Sequence, residues 1–405
     1  MIRRVRELDV VRFVAIGAVV ATHYRTSSPA AWPLAYGWAG VDCFFAISGF
    51  LITAILIELR GTPNAFRIFY GRRCLRIFPP YYLVIALLVG AAVLFHQAIP
   101  LGKVASALTF TSAFRPSPFG TIWAHLCRHV PFQTQSRGFP QGMGSTIAGA
   151  FTIFWSLSVE EVFYLLWAPI MLLASRRAIM FSVVVPLIAC PLFRLFAHTE
   201  NFTEYSYFVA RVDSLMMGAC VALLFCLYRL GNVTRSRLHA IFAVGLLSSC
   251  AALVGLGVYA GVDIRTIDLR SLISFSVFGY TMLSLLFSSA VGLCVSFSGN
   301  RIMAPLRLSP LVYIGKISYS AYLIHLPVAL AVLATMRLEH LNAGAAFLAT
   351  AAVILVSSLS WTYVESPILK LKDRIFLQPA PARNRLKALE VSASANQHAE
   401  AKSIA

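Results

Sequence analysis

Residues 8–24 read LDVVRFVAIGAVVATHY, an apolar run with the length of a membrane helix, carrying Arg12 near its start and His23 near its end. An α-helix turns about 100° and rises about 1.5 Å per residue. The interval from 12 to 23 therefore returns His23 to within about 20° of Arg12, roughly 16 Å further along the axis. Ile16 and Val19 lie between them on the same face. An arginine at the centre of a membrane helix costs about 2.5–3.5 kcal/mol on insertion scales, so such residues usually face protein or water and serve a purpose. Two readings stay open. In one, Arg12 reaches back to the headgroups and His23 rests at the opposite interface; in the other, both line a working face.

The rest of the chain agrees with a membrane location. Of 405 residues, 59% are hydrophobic and 12% charged, too apolar for a water-soluble domain. The formal charge of +18 raises the question of nucleic acid, but the basic residues recur in short segments between apolar runs rather than on one binding face. Nucleic acid is set aside on that ground. The eight cysteines are scattered without the spacing of a zinc site or a disulfide framework, and no metal is expected. Arg12 interrupts the first apolar run and further runs follow, which favours an uncleaved first helix over a signal peptide.

About ten segments are long and apolar enough to cross a bilayer, near 8–24, 36–59, 79–96, 150–173, 178–196, 208–228, 239–260, 271–296, 311–336 and 344–364. The expectation is an all-α integral membrane protein, a polytopic bundle. The Lys/Arg bias puts the amino terminus, the loop with Arg60, Arg67, Arg72, Arg73 and Arg76, and the tail in the cytoplasm. An even number of spans leaves both termini there. The membrane domain is drawn at 1–370, followed by a basic, disordered cytoplasmic tail at 371–405. The stretch 97–149 is a long outer loop rich in Pro and Gly.

Several spans carry groups that a bilayer does not welcome. The second begins GWAGVDCFFAISGFLIT, where Asp42, Ala46, Gly49 and Thr53 share one small, polar face. Close helix packing accounts for Gly49 but not for Asp42, which a short loop can bring beside His23. Next comes FRIFYGRRCLRIFPPYY, a basic aromatic stretch expected to end at Pro79 and Pro80. Arg73 and Arg76, three apart, share a face and suit either one phosphate cluster or lipid headgroups. The fourth span reads FWSLSVEEVFYLLW, and its adjacent Glu160 and Glu161 have no packing rationale. Arg211 and Asp213 are expected to pair at the outer surface. In GKISYSAYLIHLP, His325 is read as mainly structural.

Together these stretches resemble the acyltransferase 3 family of integral membrane acyltransferases. The matching pieces, in the family's order, are LDVVRFVAIGAVVATHY, GVDCFFAISGFLIT, RRCLRIFPPYY, FWSLSVEEVFY, RVDSLMMG, ISYSAYLIHLP and the closing ESP. They run from about residue 7 to 367, with Val162 departing from the Gln often found after the acid pair, and no soluble esterase-like domain is expected after the last span. The resemblance implies an O-acyltransferase in the inner membrane. It would move an acetyl or other short acyl group from cytoplasmic acyl-CoA to a hydroxyl of an extracytoplasmic glycan, such as a lipopolysaccharide or exopolysaccharide. By position it implies donor-binding roles for Arg12, Arg73 and Arg76 and a role for Glu160 or Glu161. A sugar hydroxyl needs a positioned base, for which His23 is suited, with Asp42 or one of the glutamates holding its tautomer. An acyl-enzyme relay through Ser156, Ser158 or His23 is the second chemistry. The rival class is a secondary transporter using the same acids, Arg and His as a proton relay, though no inverted repeat is evident.

Overall fold

The computed structural model of the protein describes residues 5–25, 29–97, 99–114, 147–199, 206–259 and 275–376. Among these residues all regular structure is helical. Nine described helices are long and apolar enough to cross a membrane. The first helix, α1 (Arg6–His23), adds a tenth segment; Arg6, Glu7, Asp9 and Arg12 make its first half the most charged of the set. The chain is thus a multi-pass, all-α membrane protein. The core of the outer loop and the tail beyond 376 lie outside the described residues. The closing helix Ser366–Ile375 straddles the boundary drawn at 370.

The helices that matter for the site are α2 (Gly40–Leu59), α3 (Ala65–Leu94), α5 (Phe154–Leu173), α6 (Arg176–Thr199), α7 (Phe208–Arg229), α8 (Arg235–Tyr259), α9 (Tyr280–Ser296) and α11 (Ser318–Met336). The short helices α4 (Leu101–Leu108) and α10 (Ser309–Lys316) precede α5 and α11. The segment expected at 311–336 is therefore split at Ile317.

The core sits around α2. In the span containing α2, 72% of the central window is buried, against 11% in α8, whose Val244, Leu247, Val254 and Val258 point outward. Such an outward apolar face is what hydrocarbon covers. The tightest packing joins α2 to α7. A Cβ on Gly49 would lie 1.9 Å from the Leu215 carbonyl oxygen, and one on Gly218 would lie 2.2 Å from that of Ala46. Only glycine permits this approach, the small-residue packing of membrane helices.

One expectation fails in α3. The helix does not end at Pro79 and Pro80 but runs through both for 30 residues. Those prolines remove two backbone donors, and neighbouring helices supply substitutes for such losses inside membranes. The Tyr319 hydroxyl donates to the Ile77 carbonyl at 3.0 Å, within the affected turn. The Arg73–Arg76 segment is therefore part of a membrane helix, not a separate interfacial one. Helix α1 is pinned at both ends. Glu7 accepts from Ser298 Oγ and the Gly299 amide, each at 3.0 Å, and the Tyr24 hydroxyl donates to the His325 carbonyl at 2.5 Å.

Candidate functional site

Five helices face one chamber of about 110 Å³. Arg12 enters from α1, Ser48 from α2, Arg73 and Arg76 from α3, and Glu160 and Glu161 from α5. Helix α11 closes it with Tyr319 and Tyr322. The expected donor-site arginines and both span acids thus converge, although they lie up to 149 positions apart in sequence.

The polar groups of the chamber are organised rather than scattered. Glu160 accepts from Ser48 Oγ at 3.1 Å and from the Tyr164 hydroxyl, and Ser48 and Tyr164 also touch each other. The Arg73 guanidinium lies 4.9 Å from the centre of the Tyr164 ring, a cation–π contact that orients the arginine beside the acid. Arg12 donates to Asp9, one turn earlier on α1, at 2.9 Å. Glu160 is thus anchored from two helices, whereas Glu161 lines the chamber beside it.

A second polar line leaves the chamber. Ser156 Oγ and the Tyr322 hydroxyl are 2.6 Å apart. The Tyr322 ring centre lies 5.6 Å from that of His325, and His325 lies 4.9 Å from His23. His325 Nε2 is 3.3 Å from His23 Nδ1. His325 is fully buried, whereas His23, the last residue of α1, is exposed. Arg12 thus lines the chamber, and His23 meets His325 at the end of α1.

Two sequence expectations need correction. Asp42 does not lie beside His23. It accepts from Arg211 and, at 3.2 Å, from Ser214, because its face of α2 packs on α7 rather than on α1. Arg211 and Asp213 do not pair with each other. Residues two apart on a helix point in nearly opposite directions, so Arg211 meets Asp42 while Asp213 meets Arg194 of α6 at 3.0 Å. All four side chains are fully buried, not at a surface. His325 is buried and hydrogen-bonded to its own helix, as expected of a structural residue, and it is also the immediate neighbour of His23. Sequence reasoning also passed over Arg194. Its signal was present, since a lone arginine within an apolar span implies a buried partner. Tyr164 and Ser48 gave no such signal.

Comparison with known proteins bears on the chain as a whole. Residues 5–364 match the model of the acyltransferase domain family. The peptidoglycan O-acetyltransferase OatA of Listeria monocytogenes is 25% identical over 376 residues, covering 90% of this chain and 56% of that protein. The O-acetyltransferase OatA of Staphylococcus aureus (strain NCTC 8325 / PS 47) is 25% identical over 381 residues, covering 91% and 58%. The chain thus spans a little over half the length of these curated relatives. No solved structure matches.

Proposed function

We propose, from the premise that the chain belongs to the acyltransferase domain family, that it moves an acetyl or other short acyl group from acyl-CoA to a hydroxyl of a cell-surface glycan. The name of the Listeria monocytogenes relative favours peptidoglycan as the acceptor class over the lipopolysaccharide or exopolysaccharide expected from sequence. The observation that carries this reading is the chamber itself. Three arginines and two glutamates meet in it, and the rings of Tyr322 and His325 lead from it to an exposed histidine.

The chemistry follows from the arrangement. Arg73 and Arg76 hold the donor's phosphates through charge-assisted hydrogen bonds. The pantetheine arm, about 15–20 Å when extended as judged from ordinary bond lengths, compares with the roughly 16 Å between Arg12 and His23 along α1. The thioester is thus carried beside α1 to the far end of the bundle, where His23 takes the proton of the acceptor hydroxyl. With the basic end of the bundle in the cytoplasm, as the Lys/Arg bias argues, donor and acceptor approach from opposite sides of the cytoplasmic (inner) membrane.

The test uses sealed inverted vesicles carrying the full chain, with acetyl-CoA outside and a soluble glycan acceptor enclosed. Release of free coenzyme A thiol together with acetylated glycan inside is the expected result. Movement of acetyl-CoA or glycan across the vesicle without thiol release would make the protein a transporter.

A further inference from the structure

Resting on the reading of His23 as base, we infer that His325 is its positioning residue, so that the two form a histidine dyad.

The argument starts from tautomers. A neutral imidazole has one N–H and one lone pair, and its neighbours decide which nitrogen holds which. His325 Nδ1 lies 2.6 Å from the Tyr322 carbonyl oxygen, which only accepts, so this nitrogen carries the hydrogen. His325 Nε2 is then the lone-pair nitrogen, and it faces His23 Nδ1 at 3.3 Å. His23 Nδ1 independently lies 2.9 Å from the Val19 carbonyl oxygen, which also only accepts. Both neighbours therefore demand Nδ1–H on His23, and its basic lone pair falls on Nε2.

The scaffold around the pair holds this arrangement. The Tyr24 hydroxyl, one residue after His23, bonds to the carbonyl of His325 itself, so the two helices are tied at the dyad. His325 is fully buried. That shields the acceptor nitrogen from competing water and strengthens its hydrogen bond.

In the reaction, the acceptor oxygen attacks the thioester carbon as its proton passes to His23 Nε2. A C–O bond forms and the C–S bond breaks. The proton then moves from Nε2 to the departing sulfur, giving the free coenzyme A thiol and neutral His23. His325 gains no proton. Its lone pair accepts a stronger hydrogen bond from Nδ1–H while His23 is cationic, the part an aspartate plays in hydrolase triads.

The experiment has two arms on the full chain in liposomes. In the kinetic arm, His325→Leu should lower kcat by about ten- to hundredfold, the effect of a hydrogen bond to a charged group, with KM for acetyl-CoA unchanged. His325→Gln, whose amide oxygen can replace Nε2 as acceptor, should recover most of that rate. Wild-type kcat in His325→Leu, or equal loss in the Leu and Gln variants, overturns the dyad. His23→Ala separates the layers: if it keeps most of its acetyl transfer, the base assignment itself fails. If it is inactive while His325→Leu is normal, only the dyad fails. Nitrogen NMR of histidine-labelled wild type can overturn the dyad even where a variant does not fold. Nδ1–H with a bare Nε2 on His23 is expected, and the reverse tautomer overturns the proposal.

Discussion

Two groups of charges share the interior of this bundle, and they are built differently. Around α7, Asp42 meets Arg211 and Asp213 meets Arg194, with every side chain fully buried, and a backbone carbonyl and a hydroxyl add contacts to the Arg194–Asp213 pair. Around the chamber, Arg73, Arg76, Glu160 and Glu161 line open space, and Glu160 is held by neutral hydroxyls rather than by a cation. The first group pairs each acid with an arginine in the packed interior. The second is held in place but left facing a cavity. Charge within a span is therefore not by itself a mark of function; what matters is whether the protein completes the pairing.

The largest expected effect probes the first group. Asp42→Asn or Arg211→Met alone strands its partner in a dry interior, which costs about 3–5 kcal/mol. The paired variant Asp42→Leu with Arg211→Met should recover most of the loss. Thermal unfolding in detergent measures both, and single variants as stable as wild type would erase the distinction between the groups. A smaller effect probes the second group. Arg73→Ala and Arg76→Ala should each weaken coenzyme A binding about tenfold or more, since a charge-assisted contact is worth about 1.5–3 kcal/mol. Stability should change little, and calorimetric titration would show it. Unchanged affinity in the double variant would move the donor site elsewhere. The smallest effect serves as the baseline: Val244→Ala, on the outward face of α8, should shift stability by no more than about 0.5 kcal/mol.

Most of the fold was legible in the sequence because it is written locally. Hydropathy marks each span within a window of some twenty residues. Arg73, Arg76, Glu160 and Glu161 were singled out because a bilayer penalises them wherever they sit. What escaped is tertiary. Nothing in the local pattern around Asp42 says that its face meets α7 instead of α1, and Arg211 and Asp213 look like partners until helix geometry turns them apart. The prolines of α3 mislead for the same reason. Their usual helix-ending effect is overridden inside a bundle. His325 resembled an isolated core residue because its partner lies 302 positions away.

The glycine contact between α2 and α7 has a consequence for how specificity can evolve. With Leu215 and Ala46 carbonyls pressed against Gly49 and Gly218, α2 has no freedom to shift sideways, so its chamber face behaves as a fixed wall. Any lineage that came to hold a bulkier group in the chamber would have to make room across from it, at Ile77 of α3, Leu157 of α5 or Tyr319 of α11. Changes in what the chamber holds should come through α3, α5 and α11, while α2 drifts little.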